Sequence, residues 1–568
     1  MTKRQFAGVV LGAIALLGFV AYANTFAGDW VWDDVSSVLL HEHVQDPGQF
    51  FQLFKEDQHA FGRGQGNFYR PLVSASFMLD FALSYDPVLD GEELKGYPDV
   101  KPFFFHLTNL LWHLAAAVLL FFLLVRLDAP RLVQAGAPIL FVLHPMHTEA
   151  VAYISGRADM MSATFILAAL LCATSEARDR KGWVMLALSG IFFALGLCCK
   201  ESTTIYPILL AVMVLLMPRS DGAAPSKADF QARSLPLALA VAILAGYGAL
   251  RLTVLKFSEG GDSGASGFGQ RLAETCQAFT FYIKTLFLPT GLHMEQTLAG
   301  VPSWTAAIGL VLLLACIAAA VWAYRAGHHR ITLGLCWFLV SWLPISGVFP
   351  LNAPMAEHWM YVPMAGFWWA LLESLWLLSK RLDLRPLVPA AATVLGLVFL
   401  YQTVERNRDW QNNEAIFRST LAANPASIRA HANLAITYEV LDPNLPGARR
   451  HFEALLALYE AQKSGAGDAT FVGDEVAVRL SLGSILLRQQ DYQTAYQIYG
   501  PLLALASQEA QRPQAARATF GIGQSLLGLG DFGPAGQFLR QAVTLDPALG
   551  GPYRDLLRGA PLPDGRTP

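Results

Sequence analysis

From Phe6 almost to Tyr401, apolar residues come in long blocks separated by short polar stretches. A helix must run for roughly 17–25 mostly apolar residues to cross a hydrocarbon core. Such blocks lie near 6–23, 103–125, 132–148, 159–175, 183–199, 203–218, 235–255, 304–324, 331–350, 359–378 and 386–404. The pattern predicts about eleven membrane-spanning helices. Another apolar stretch, from Arg271 to Leu288, is interrupted by Glu274 and Lys284, and an interfacial or re-entrant helix is expected there. Beyond Tyr401 the chain turns polar and alanine-rich, and a repeat emerges. Leu482-Gly483, Leu486, Ala495 and Tyr499 return as Ile522-Gly523, Leu526, Ala535 and Leu539, closed by Ala542 and Pro547, with a weaker copy through Leu434-Ala435, Tyr438, Ala448 and Phe452. Small residues at that spacing let paired helices approach closely, as in tetratricopeptide arrays. The small-residue segment from Ser464 to Ala469 reads as an exposed loop. The expected organisation is all-α: a membrane bundle over 1–404 with a large loop at 24–102, then a helical-repeat solenoid over 405–568.

Charge orients this arrangement. Lys3-Arg4, Arg126 with Arg131, Arg178-Asp179-Arg180-Lys181, Arg219 to Arg233, Arg325 with Arg330, and Lys380-Arg381 with Arg385 all fall on one side if the N-terminus is cytoplasmic, the side where cationic loops are retained. The loop 24–102 carries Asp29, Asp33, Asp34, Glu42, Asp46, Glu56, Asp57, Asp90, Glu92, Glu93 and Asp99 against few cations, so it is expected outside. With eleven spans the repeats lie outside too. Composition agrees: 54% of the 568 residues are hydrophobic and 15% charged, too apolar for an average soluble domain. The net charge of −3 offers nucleic acid no general attraction. The six cysteines lie in apolar or near-apolar segments and give no disulfide framework. The basic flank and apolar run at the N-terminus are expected as an uncleaved first helix. A make-up rich in Ala, Gly, Leu and Arg, with no acceptor sequon for N-glycans, points to a bacterial inner membrane with periplasmic repeats.

Ionisable residues at membrane depth or its edge mark function by default, and six segments bring them to the outer side. They are Trp32-Asp33-Asp34; Arg70 in Tyr69-Arg70-Pro71-Leu72; His106, Asn109 and His113 at helical spacing; His144 through His147 to Glu149, then Arg157 and Asp159; Lys200-Glu201; and Glu357-His358 before Tyr361. These motifs, with Asn24, Gly28 and the terminal repeats, resemble the transmembrane and tetratricopeptide-repeat O-mannosyltransferases of the C-type glycosyltransferase superfamily. The resemblance runs in order over most of the chain.

It implies an inverting transfer of one mannose-like sugar from a polyprenyl-phosphate donor to Ser or Thr hydroxyls of an extracytoplasmic polypeptide that the repeats would dock. The general base would be Asp33 or Asp34. Donor phosphate contacts would come from Arg157 and Lys200 first, then Arg70 and His358, although relatives commonly carry Arg where His358 stands. His106, Asn109, His113, His144, His147, Glu149, Asp159, Glu201, Glu357 and Tyr361 would line the donor and acceptor pocket. No cofactor is required, and a divalent metal held by the histidines is a lesser candidate.

Plainer roles compete. Either aspartate could cap a helix beginning near Val35. Arg157 could pair with Glu149 or Asp159, and Lys200 with Glu201. Two other activities fit the pattern, a transferase moving a preassembled glycan from a polyprenyl diphosphate and a non-enzymatic scaffold working through its repeats. A transporter fits less well, because the ionisable residues gather at one face rather than at the midplane.

Overall fold

The computed structural model describes residues 1–61, 67–84, 100–174, 180–216, 227–255, 267–298, 300–349, 351, 353–441, 444–463 and 474–559. Asp90, Glu92, Glu93, Asp99, Arg178-Asp179, Arg219 and the loop from Ser464 to Ala469 lie outside them, as do the side chains of 227–233. Among the described residues all regular structure is helical. In chain order the helices are α1 Lys3–Tyr22, α2 Pro71–Ser84, α3 Phe103–Arg126, α4 Arg131–Leu143, α5 Arg157–Ala173, α6 Arg180–Leu197, α7 Tyr206–Leu216, α8 Lys227–Thr253, α9 Phe268–Phe287, α10 Trp304–Arg325, α11 His329–Trp342, α12 Tyr361–Arg381 and α13 Leu387–Asp409. They continue as α14 Asn413–Ala423, α15 Ile428–Ile436, α16 Leu445–Lys463, α17 Glu475–Arg488, α18 Tyr492–Tyr499, α19 Arg512–Gly528, α20 Phe532–Leu545 and α21 Gly550–Gly559. The chain forms two compact units, Met1–Ile416 and Phe417–Pro568, which divide within α14.

Each expected span falls on a helix of the first unit. Among the described residues, eight helical stretches are long and apolar enough to cross a membrane. Three expected spans are shorter, at Arg131–Leu143, Glu201–Leu216 and His329–Ile345, and Pro71–Ser84 is a fourth short apolar helix. At Arg131–Leu143 the reason is local: Pro145 follows the helix directly, and the residue before a proline is pushed out of the helical region. The amphipathic stretch after Arg271 is one helix, α9, outside the long apolar set. At the start of the chain, the Thr2 hydroxyl accepts from the Gln5 amide and the Gln5 side chain from the Thr2 amide, a capping box that fixes the first turn.

Hydrocarbon surrounding the bundle removes most of the solvent drive for helix association, so close packing carries it. α11 and α12 cross at Gly334, Gly366 and Ala370. A Cβ on Gly366 would sit 2.6 Å from the Gly334 carbonyl, and one on Gly334 would sit 2.9 Å from the Ala370 amide. The Trp337 indole N–H donates to the Val362 carbonyl at 2.9 Å across the same seam. In like manner Gly309 of α10 lies against the Cys276 carbonyl of α9.

The second unit is built from helix pairs whose buried positions are those of the sequence repeat: Leu482, Leu486, Ala495 and Tyr499, then Ile522, Leu526, Ala535 and Leu539. The insertion between copies is two 3-10 turns, Gly500–Ser507 and Glu509–Gln511. The turns inside the two pairs match. Gln490 and Gly530 both adopt positive φ, at 62° and 86°, and the next amides, Asp491 and Asp531, return to Leu486 and Leu526 at 2.9 Å. The Tyr499 ring fills the space between Gly483 and Gly521, where a Cβ on either glycine would collide with it. Gly483→Ala is therefore expected to destabilise the second unit by about 1–3 kcal/mol through overpacking. Hydrogen exchange should quicken across α17 to α20 and stay unchanged in the membrane helices.

Candidate active site

The site begins where α1 ends. Asn24 donates to the Val404 carbonyl at 2.9 Å, and the Asn407 amide donates to Asn24 Oδ1 and to the Ala21 carbonyl, each at 2.8 Å, which ties that end to α13. Gly28 follows at a point where a Cβ would lie 3.2 Å from His106 Nε2 and 3.0 Å from the Thr25 carbonyl, so the chain passes close over α3. Residues 31–34 then make a tight turn. The Asp34 amide donates to the Val31 carbonyl at 3.0 Å, and the Val31 amide returns to Asp34 Oδ2 at 3.1 Å. Trp32, inside the turn, sits at φ 54°, a left-handed geometry that costs a bulky side chain roughly 1–2 kcal/mol. Its amide donates to Asn413 Oδ1 at 2.8 Å, and its ring stacks on Tyr153 at 5.8 Å, which in turn stacks on Trp410 at 5.1 Å.

The turn separates the two aspartates. Asp34 is 1% exposed, and besides Val31 its carboxylate accepts from the Ser155 amide at 2.8 Å and the Ser155 hydroxyl at 2.7 Å. It caps nothing: the expected helix after Val35 is a single π-helical turn, Val35–Leu39, with no side-chain cap. Asp33 is only half-buried. The Tyr153 hydroxyl hydrogen-bonds to Asp33 and Ser155, and His59 lies in the fields of both Asp33 and Arg70.

Burial pushes the Asp34 carboxyl up to about 7 against the hydrogen bonds from Ser155 and Val31, and the neighbouring Asp33 adds to the rise. A carboxyl whose folded pKa exceeds its unfolded value stabilises fully below the unfolded value, near 4, and loses that contribution as pH rises through 7. Between pH 4 and 8 the melting temperature of wild type is therefore expected to fall relative to that of Asp34→Asn, with a slope of up to about 1.4 kcal/mol per pH unit in the underlying stability. A pH-independent difference between the two proteins would contradict this.

Histidines and asparagine of the second expected span form a frame beneath the turn. Asn109 Nδ2 lies 3.2, 3.1 and 3.3 Å from the carbonyls of Val151, Tyr153 and Ile154, and its Oδ1 accepts from Arg157 Nε at 2.6 Å. Asn109 thus fixes the loop that presents Tyr153 and Ser155. His113 Nε2 faces the Val142 carbonyl at 3.2 Å and must carry the proton, leaving Nδ1 to accept from the Tyr361 hydroxyl at 2.7 Å. His144 is used the same way, between the Leu286 carbonyl and the Met146 amide, both at 3.2 Å. Among the described residues the buried rings of His106 and His147 have no hydrogen-bonding partner. Among the described residues no three His, Cys, Asp or Glu side chains are grouped to hold a metal ion.

The cations are paired differently from the sequence expectation. Arg157 bonds neither Glu149 nor Asp159. It lies fully buried against Asp80 of α2, also donates to Ser76 Oγ at 3.0 Å and the Phe105 carbonyl at 2.8 Å, and sits 4.6 Å over the Phe77 ring. Enclosed in this way, the guanidinium is a strut between α2, α3 and α5. Lys200 grips both oxygens of Asp159, at 2.6 and 2.7 Å, rather than Glu201. Glu201 instead holds Arg70 at 3.1 Å, and Gln58 lies 3.4 Å from the same guanidinium. Arg70 and Lys200 keep 14% and 12% of their side chains exposed, against 0% for Arg157.

A second group lies around Glu357. His358 meets Glu149 through its ring at 3.0 Å and its amide at 2.9 Å, while Arg406 bridges Glu357 at 3.1 Å and Asp409 at 2.6 Å. Burial opposes charge on Glu149, yet His358 and Arg406 outweigh it and hold the carboxyl below the usual range. Burial pushes Glu357 up to about 8 despite Arg406, with Glu149 adding to the rise. Tyr282 of α9 fixes the approach to this group, because its hydroxyl both accepts from the Ala356 amide at 3.1 Å and donates to the Ala356 carbonyl at 3.3 Å.

Residues 474–548 match the family model described as tetratricopeptide repeat. Over 496 residues the chain is 25% identical to the human "Protein O-mannosyl-transferase TMTC4", covering 76% of this chain and 63% of that protein. It is 24% identical over 435 residues to "Protein O-mannosyl-transferase F38B6.6" of Caenorhabditis elegans, covering 74% and 58%. It is 23% identical over 509 residues to "Protein O-mannosyl-transferase tmtc2" of Xenopus laevis, covering 74% and 59%. This chain thus spans less than two thirds of the length of these relatives. Among solved structures, the apo oligosaccharyltransferase of Archaeoglobus fulgidus aligns with a TM-score of 0.38 and 12% identity over 80% of this chain and 60% of that one. Over about three quarters of its length the chain is thus similar to proteins named O-mannosyl-transferase.

Proposed function

We propose that the protein is a membrane glycosyltransferase that moves a single mannose-like sugar from a polyprenyl-phosphate donor to Ser or Thr hydroxyls of a polypeptide, with Asp33 as general base. The observation that carries this reading is the division of labour in the 31–34 turn. Asp34 is buried and fully hydrogen-bonded, while Asp33 is half-buried at the same turn and held by Tyr153. Only the latter can be reached by an acceptor hydroxyl. In the reaction, Asp33 takes the hydroxyl proton as that oxygen bonds to the anomeric carbon. The carbon–oxygen bond to phosphate breaks, and the polyprenyl phosphate leaves with the electron pair, inverting the configuration. Arg70 and Lys200 are the cations placed to meet the developing phosphate charge, each prealigned by its carboxylate, Glu201 or Asp159. Arg157, Asn109 and His113 support the frame. Glu149, His358, Glu357 and Tyr361 would line the donor and acceptor side of the site.

The cationic loops, which include Arg126, Arg131, Arg325, Arg330, Lys380, Arg381 and Arg385, support a cytoplasmic N-terminus and an outward-facing site, and the Ala-, Gly-, Leu- and Arg-rich composition supports a bacterial inner membrane. The repeats would bind the acceptor polypeptide along their concave face. Incubation of the purified full chain with labelled polyprenyl-phosphate mannose or glucose and a periplasmic protein extract tests the reading. Label in protein, removable by base-catalysed elimination, is expected. Label accepted only from a polyprenyl diphosphate oligosaccharide, or from no donor, would overturn it.

A further inference from the structure

An apolar groove of about 280 Å3 between α4, α12 and α13 runs along α12 from Trp368 to a mouth at Leu382, and at 1.5 Å per residue that mouth is about 30 Å from Tyr361. Leu140, Trp368 and Leu372 are its buried floor, while Leu378, Leu382 and Leu387 on its rim are 51–56% exposed. Ser379 is the polar residue of the lining, and its hydroxyl is turned to the Trp376 carbonyl at 2.9 Å. The lining residues turn an almost wholly apolar surface to the groove, and apolar cavities of even about 150 Å3 stay dry and accept apolar guests.

The groove's mouth has the opposite character. The turn joining α12 to α13 exposes Lys380, Arg381 and Arg385 against the single acid Asp383. Lys380 Nζ is 5.1 Å from the Trp376 ring, at the level where an amphipathic aromatic meets lipid headgroups. An apolar slot capped by three cations, between three membrane helices, is complementary to one kind of molecule: a hydrocarbon chain ending in an anionic headgroup.

We infer that this groove is a binding site for an anionic phospholipid, with an acyl chain in the slot and the headgroup phosphate at Lys380, Arg381 and Arg385. The polyprenyl donor carries similar chemistry, but its phosphate is needed at the Asp33 end, roughly one membrane thickness away, so the phospholipid is the better fit. The inference rests on the membrane reading of these helices and is independent of the transfer reaction.

Native mass spectrometry of the detergent-purified full chain tests it, with dioleoyl-phosphatidylglycerol, dioleoyl-phosphatidylcholine and polyprenyl phosphate as competing probes. Retention of phosphatidylglycerol over phosphatidylcholine by about tenfold or more is expected. The combined Lys380→Gln, Arg381→Gln, Arg385→Gln variant should lose that preference. Ala392→Phe, which places a ring in the slot, should lose retention of either phospholipid. The charge variant changes only exposed side chains, so it stays informative if Ala392→Phe fails to fold. Equal retention of the two phospholipids, an unchanged preference in the charge variant, or one-for-one displacement by polyprenyl phosphate would overturn the proposal.

Discussion

Asp33→Asn is expected to lower sugar transfer by about 10²–10⁴-fold, the usual contribution of a positioned general base, with no loss of thermal stability. Asp33 is half-buried and its place in the turn is fixed by neighbours rather than by its own charge: the Val31–Asp34 hydrogen bonds and the Trp32 contacts to Asn413 and Tyr153 persist without it. Asp34→Asn should behave in the reverse way. An amide there turns a donor toward either Val31 or Ser155, leaving a buried N–H unpaired at a cost of about 1–3 kcal/mol. Transfer falls because the turn loosens, and the pH dependence of stability between 4 and 7 disappears with the titrating group. Transfer assays paired with melting curves separate the two. If Asp33→Asn retained transfer, or if Asp34→Asn alone abolished it in a protein of unchanged stability, the assignment would pass to Asp34.

The sequence displayed the helical bundle because each span is a long apolar run, and it displayed the repeats because small residues recur where helices touch. It also showed which segments carry the chemistry, since charges that interrupt apolar runs stand out. What it left unresolved was pairing. Arg157 and Lys200 each had an acid nearby in sequence, yet Arg157 found Asp80, some eighty residues earlier, and Glu201 found Arg70. Partners brought together by tertiary folding leave no local spacing to read. Asp80 carried a usable signal, an acid inside the apolar helix Pro71–Ser84. So did Arg406, in the last turn of α13. Ser155 and His59 carried none, because a serine and a histidine in a polar loop gain meaning only from the aspartates they face. Nor could sequence divide the base from its neighbour: adjacent identical residues are distinguished by a turn whose left-handed residue, Trp32, is one few sequences would place there.

Removing one partner of the Asp80–Arg157 pair should have the largest effect on stability. Both side chains are at most 1% exposed, and Thr108 Oγ1 donates to Asp80 at 2.7 Å while Asn109 and Ser76 accept from Arg157. Asp80→Ala would leave a guanidinium charged and enclosed between the Phe77 and Phe105 rings, at an expected cost of about 3–5 kcal/mol. Replacing both, as Asp80→Leu with Arg157→Met, removes the charges together and should recover much of that loss. Thermal unfolding of the detergent-solubilised chain gives the three stabilities directly. Activity then discriminates strut from ligand. A strut acts through Asn109, which holds the 151–154 carbonyls and so the loop bearing Tyr153 and Ser155; the double variant should therefore lose turnover in step with quicker hydrogen exchange at 151–155, with little change in donor KM. A phosphate ligand would raise donor KM in Arg157→Met while leaving exchange in that loop untouched. That outcome would return Arg157 to the donor site and require Asp80 to be the residue that aims it.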